Sequence, residues 1–261
     1  MGQSGETSPA QRCRTRPQSE FPNVQPYGLN LRFDAMSLAV KICGLSTRAT
    51  LEAALEAGAD MVGFVFFEAS PRHVSLGTAR ELGKIATGRA LKVALTVDAD
   101  DATLANIVET LRPDILQLHG SESVSRVRDI KQKFGVPVMK VISVATGGDL
   151  DVLPGFAAVA DRILFDARAP KDATRPGGLG VPFNWSLLKN IDLKIPFMVS
   201  GGLTSANVAE AIRITHAGGV DVSSGVESAL GVKDIEMIRA FIRAAREADS
   251  QKPNQKIASR A

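Results

Sequence analysis

The sequence predicts an α/β fold, a single (β/α)8 TIM barrel, and three observations carry that expectation. The chain has 261 residues, close to the roughly 250 that one such barrel takes. Eight short aliphatic or β-branched runs mark strand candidates, at 38–43, 61–66, 91–97, 115–119, 136–141, 162–165, 197–200 and 220–222. Most are followed by an Ala- and Leu-rich stretch of helical period, and strict alternation of strand with helix calls for a parallel sheet. Eight strands in this length favour closure into a barrel over an open sheet.

Taken in order, residues 1–36 come first, rich in Ser, Thr, Gln, Pro and Arg without apolar periodicity, and are expected to form a disordered extension. They lack the apolar core of a secretory signal, and Pro17, Pro22 and Pro26 interrupt the amphipathic helix of a transit peptide. The barrel is assigned to 37–246. Its first helix, 47–57, places Leu51, Ala54 and Leu55 on one face, with Ser46 or Thr47 as N-cap and Gly58 as stop. A helix over 205–215 does the same through Val208, Ala211 and Ile212. A last one over 233–246 uses Ile235, Ile238, Phe241 and Ile242. After strands five and six only short helices are expected, at 154–159 and 184–188. Residues 247–261 read as a flexible tail.

Composition excludes several classes of function. The formal net charge is +3, and each end contributes +1 of it: four Arg against three acids in 1–36, three basic groups against two acids in 247–261. The body is left near neutrality, so neither nucleic acid nor an anionic membrane is an expected partner. No apolar run approaches the roughly 20 residues that span a bilayer. Cys13 and Cys43 make no disulfide framework, so a reducing compartment, the cytoplasm, is expected. A monomer is expected.

In such a barrel the chemistry sits at the carboxyl ends of the strands. Those positions hold Cys43-Gly44, the 67–74 loop with Arg72, Asp98, His119-Gly120, Ser143, Asp166, Ser200-Gly201-Gly202 and Ser223-Ser224-Gly225. This polar, Gly-rich set contrasts with the aliphatic strands before it. The last two loops fit an anion: glycine lets backbone approach closely, and helix N-termini present free N–H groups. Loops after strands seven and eight frequently build a phosphate site in this fold. Gly201, Gly202, Ser223, Ser224 and Gly225 are its candidates.

A resemblance to a known family runs through the same places. Val-Lys-Ile-Cys-Gly (40–44), Val-Gly-Phe-Val-Phe (62–66), Ser-Pro-Arg (70–72) and Leu-Gln-Leu-His-Gly (116–120) are similar to motifs of phosphoribosylanthranilate isomerases. So are Leu-Phe-Asp (164–166), Val-Ser-Gly-Gly-Leu (199–203) and Val-Asp-Val-Ser-Ser-Gly-Val-Glu (220–227). Seven motifs in order are specific where any one is weak.

The resemblance implies the third step of tryptophan biosynthesis, an Amadori rearrangement of a phosphoribosylated anthranilate, with a small phosphorylated molecule as partner and no metal or organic cofactor. It makes Cys43 the general base and Asp166 the general acid, and puts Asp221 near the substrate. Both groups then need unusual pKa values, the thiol lowered and the carboxyl raised, and they are expected to titrate as a coupled pair. Lys41 lies two residues before Cys43, on the same side of its strand, and is expected to favour the thiolate. Arg72 offers a guanidinium fork to the anthranilate carboxylate. His119 matches a family position, though a structural histidine reads equally well there. His73 and His216 carry no functional expectation.

The chain departs from the family at Val181-Pro182, where many members carry Lys-Thr, and at Asn184, where they carry Asp. The Gly- and Pro-rich stretch 171–180 is expected to be a mobile lid. Two rival readings remain: a non-catalytic sugar-phosphate-binding barrel, which would need neither Cys43 nor Asp166, and indole-glycerol-phosphate synthase. The latter relies on lysine and glutamate at strand ends, and the lysine it needs is missing at Asp98.

Overall fold

The computed structural model describes residues 37–169, 173, 177–178, 180 and 182–251. The extension expected over 1–36 and the tail beyond 251 lie outside them. The element order is β1 (Ala39–Cys43), α1 (Arg48–Glu56), β2 (Met61–Phe66), α2 (Leu76–Ala86), β3 (Leu91–Thr96), α3 (Asp101–Leu111), β4 (Ile115–Leu118) and α4 (Val124–Phe134). It continues with β5 (Val138–Val144), α5 (Leu153–Ala157), β6 (Arg162–Ala167), β7 (Phe197–Val199), α6 (Val208–Thr215) and β8 (Gly219–Val222). A hairpin of β9 (Glu227–Ala229) and β10 (Val232–Lys233) then leads into α7 (Ile235–Ser250). Strands β1 to β8 pair in parallel in chain order, and β8 returns to β1 to close the barrel.

Side chains cap five of the helices. Thr47, Ser75, Asp100, Ser123 and Asp234 each accept from the backbone N–H three residues on. Each such bond contributes about 1 kcal/mol. The strands are buried on both faces, so they read as near-continuous apolar runs. Outward side chains build the core beneath the helices, around Ile42, Phe64, Leu116, Phe165 and Phe241. Inward ones, Ala39, Met61, Val93, Ile115, Met139 and Leu164, fill the amino-terminal half of the barrel. With that half plugged by hydrocarbon, inward polar groups are confined to the carboxyl half, and the site can form only there.

Several boundaries differ from the expected ones. β5 runs on to Val144 and β6 to Ala167, so Ser143 and Asp166 stand inside strands, paired in register. α6 starts at Val208, after a turn, because Asn207 spends its side chain on Thr204 N (2.8 Å) and Gly202 O (3.0 Å). A 3-10 turn at Trp185–Leu188 occupies the place after β6. The final helix runs past the expected end at 246, to Ser250. There Leu38 N–H donates to Asp249 Oδ2 at 3.0 Å, and Arg246 donates to Leu38 O, Gly58 O and Asp60 Oδ2. These bonds pin the last helix over the first strand.

Candidate active site

All nine site residues named from the sequence line one cleft at the carboxyl mouth: Cys43, Arg72, Asp166, Gly201, Gly202, Asp221, Ser223, Ser224 and Gly225. The space between these walls is about 940 Å³, open solvent included. Asp98 and Ser143 do not belong to it. Asp98 instead accepts from Ser121 N at 2.7 Å, joining the strand ends beside the mouth.

Alternation explains the wall. On β1, Ala39, Lys41 and Cys43 face inward, which stacks the lysine directly below the thiol. Closure of the barrel puts Lys41 in register with Asp221 on β8. The two form an ion pair of 2.9 Å, wholly sealed from solvent on the lysine side. Ser200 Oγ donates to the other oxygen of Asp221 at 3.2 Å. Asp221, expected to meet the substrate, thus has both oxygens engaged by the protein. Burial works to lower Lys41, but Asp221 and the neighbouring Cys43 outweigh it and hold the ammonium above its ordinary pKa.

Cys43 corrects one expectation. Burial pushes its thiol up, Lys41 and Lys233 pull it down, Asp221 pushes it up again, and the outcome is a raised thiol. Lys41 favours the thiolate as expected, yet its charge is already shared with Asp221 and does not overcome desolvation. Gly63 lies opposite in register, and a Cβ there would stand 2.9 Å from Cys43 Sγ, so the sulfur fills space that a larger residue would take.

Across the mouth, Asp166 reaches in from β6. Its Oδ1 accepts from Ala167 N at 2.9 Å, and its Oδ2 lies 3.3 Å from His119 Nε2 at an angle that makes no hydrogen bond. Gly201 packs against this strand end with φ +82°, and a Cβ would lie 2.6 Å from Ala167 N. Only glycine joins that backbone conformation to that approach. At Gly225 a Cβ would land on the carbonyl oxygen of Leu203, so the loops after β7 and β8 are in direct backbone contact.

Arg72 is buried at the cleft edge. Its Nε and Nη2 donate to the two oxygens of Glu227, at 2.6 and 2.8 Å, and Nη2 also donates to Gly178 O at 3.2 Å. Nη1 has no hydrogen-bond partner among the described residues. The lid expected over 171–180 lies largely outside those residues, as does Val181. Of the departures from the family pattern, Asn184 caps the turn after β6, its Oδ1 accepting from Ser186 N at 3.0 Å.

Sequence reasoning assigned no role to several groups. Gln117 lines the cleft, fully buried, with both amide atoms unpaired among the described residues. Its place two residues before His119 on one strand was the available signal. Glu122 and Lys140 form a buried 2.7 Å pair. Glu122 also accepts from Asp98 N and Gly120 N, fixing the backbone beside His119. Glu227 stood within a quoted motif without a role, and nothing local signalled its bond to Arg72.

A closed (β/α)8 barrel with its polar groups and glycine-rich loops gathered at the carboxyl mouth is the architecture of a barrel enzyme. The family model of N-(5'phosphoribosyl)anthranilate (PRA) isomerase matches residues 40–244, and the chain belongs to that family. An N-(5'-phosphoribosyl)anthranilate isomerase of Bradyrhizobium diazoefficiens is 76% identical over 211 residues, covering 81% of this chain and 95% of that protein. One from Rhodopseudomonas palustris is 72% identical over 211 residues, covering 81% and 97%. The crystal structure of the Thermotoga maritima enzyme superposes with a TM-score of 0.73 at 31% identity, over 80% of this chain and 99% of that one. A phosphoribosyl anthranilate isomerase in complex with reduced 1-(o-carboxyphenylamino)-1-deoxyribulose 5-phosphate superposes with a TM-score of 0.69 at 29% identity, over 80% and 99%.

Proposed function

We propose that this chain carries out its family's isomerisation through Cys43 as general base and Asp166 as general acid. The reaction is the rearrangement of N-(5'-phosphoribosyl)anthranilate to the carboxyphenylamino-deoxyribulose phosphate in tryptophan biosynthesis. The observation that carries the residue assignment is the single cleft that holds the thiol from β1 and the carboxyl from β6.

In the working form one proton resides on Asp166 and Cys43 is a thiolate. Lys41 and Lys233 favour that distribution, and burial opposes it. Asp166 gives its proton to the ribose ring oxygen while the anthranilate nitrogen lone pair opens the C1–O bond, forming an iminium. The new cation beside Cys43 favours the thiolate further. Cys43 then removes the C2 proton, and the electron pair left on C2 neutralises the iminium to give an enolamine. The Asp166 carboxylate takes up the C2 hydroxyl proton and the Cys43 thiol returns a proton to C1, which produces the ketone and restores both groups.

Arg72 Nη1, which has no hydrogen-bond partner among the described residues, is the donor offered to the anthranilate carboxylate. Gly201, Gly202, Ser223, Ser224 and Gly225 cradle the phosphate with backbone N–H groups and hydroxyls. Asp221 acts through Lys41. The catalytic unit is the 37–246 barrel, working as a cytoplasmic monomer. Five large apolar side chains are exposed among the described residues, and no more than two share an element. No helix of those residues is long and apolar enough to cross a membrane. Sedimentation at micromolar concentration checks the monomer.

Rescue of a tryptophan auxotroph lacking this step tests the assignment. The wild type must restore growth, while Cys43→Ala and Asp166→Ala must not. Rescue by either variant overturns the roles given to that residue.

A further inference from the structure

Beside the mouth, two cations and one anion are buried together. Arg72 holds both oxygens of Glu227 through its Nε–Nη2 edge. Lys233 Nζ donates to Glu227 Oε1 at 2.8 Å, and Gly231 N–H to Oε2 at 3.1 Å. The three charged side chains are each no more than 4% exposed. Lys233 also donates to Ser223 O at 2.8 Å and Ser223 Oγ at 3.2 Å. The hairpin tip presses on the loop that carries Arg72: a Cβ on Gly231 would stand 2.8 Å from Pro71 O. A carboxylate with four N–H donors and a seat built by its own hairpin is fixed in position, and it fixes whatever it grips. A bidentate fork sets the plane of a guanidinium as well as its distance. It leaves Nη1 of Arg72 outside the grip, beside Gly178 in the cleft lining.

We propose that Glu227 is a positioning residue for the bound aromatic carboxylate: its two-point grip aims the Nη1 edge of Arg72, and Lys233 keeps that grip in register with the phosphate loop. This rests on the carboxylate role given to Arg72 above. It assigns to the hairpin after β8 a share in substrate specificity, through a residue that need not touch substrate.

The sign of one substitution separates positioning from simple charge balance. Glu227→Gln removes a negative charge from the mouth, so if Glu227 were only a counter-ion, every anion would bind more tightly. If it aims Arg72, a carboxylate ligand binds less tightly in spite of the gained potential. Glu227→Asp keeps the charge and withdraws the carboxylate by one methylene, so it must behave like wild type under charge balance and like Glu227→Gln under positioning.

The experiment measures competitive inhibition of the full-length enzyme by anthranilate and, separately, by inorganic phosphate, with Arg72→Ala as reference. Both Glu227 variants are expected to weaken anthranilate about tenfold and leave phosphate within twofold of wild type or tighter. KM for the substrate should rise while kcat stays within about threefold, since a ground-state contact is what is lost. Wild-type anthranilate affinity in Glu227→Asp, or tighter anthranilate in Glu227→Gln, overturns the proposal. Equal weakening of both ligands overturns it too, as the mark of a merely structural role. If Arg72→Ala leaves anthranilate affinity unchanged, the carboxylate role of Arg72 falls, and that failure is distinguishable from the others.

Discussion

Glu227 also makes an acid-sensitive contribution to stability whose size follows from its surroundings. Burial alone would raise its carboxyl, but Arg72 and Lys233 overcome that and lower it from 4.5 to about 2. At about 1.36 kcal/mol per pKa unit, a shift of that size corresponds to about 3 kcal/mol of native-state stability at neutral pH. Because the folded pKa is depressed, the unfolded chain binds the proton first as pH falls. The contribution is complete above the unfolded value of 4.5 and is lost progressively as pH falls through about 2. By pH 3 about 2 kcal/mol of it is gone. Glu227→Gln cannot titrate, so the stability difference between wild type and variant should shrink by about 2 kcal/mol between pH 7 and pH 3. Reversible urea unfolding of both proteins at each pH measures this, and taking the difference cancels the other carboxylates. A difference constant across that range would refute the reasoning, because it would mean that Glu227 is not held ionised by the two cations.

Two further outcomes follow from the walls of the cleft. Lys41→Met leaves Asp221 buried without its partner and should cost about 3–5 kcal/mol. In a Cys13→Ser background it should also move the pH midpoint of Cys43 alkylation upward, because the nearest cation is gone; an unchanged midpoint would contradict the role given to Lys41. Gly225→Ala drives a methyl group into the Leu203 carbonyl, so it should cost about 1–3 kcal/mol and weaken inhibition by inorganic phosphate at least tenfold. Calorimetry and steady-state inhibition read the two effects separately, and intact phosphate inhibition would remove that loop contact from the site.

Much of the barrel was legible because its strands are sealed on both faces and so stand out as apolar runs. The errors fall where that rule lapses. Ser143 and Asp166 looked like the end of their strands, since a polar residue after an aliphatic run reads as loop. Both in fact continue their strands, paired with each other in register. The helix expected from 205 starts at 208 because Asn207 is occupied bracing the loop before it, a tertiary use that periodicity does not register.

Cys43 and Asp166 could be placed at a common mouth from topology alone. What surrounds them could not. The Lys41–Asp221 pair exists because β8 closes on β1, and Arg72–Glu227 joins residues far apart in the chain, so no local pattern announces either. The direction of the Cys43 shift likewise depends on burial and Asp221 set against Lys41 on its own strand and Lys233 on the hairpin. Composition and spacing carry no such balance.

The central claim is that Cys43 and Asp166 are the base and the acid. Steady-state kinetics of Cys43→Ala and Asp166→Asn against wild type test it most directly. Each variant is predicted to lose on the order of 10²–10⁴ in kcat, with KM changed by no more than a few-fold. Either variant retaining more than about a tenth of the wild-type kcat would contradict the account, since general acid–base catalysis contributes at least about a hundredfold.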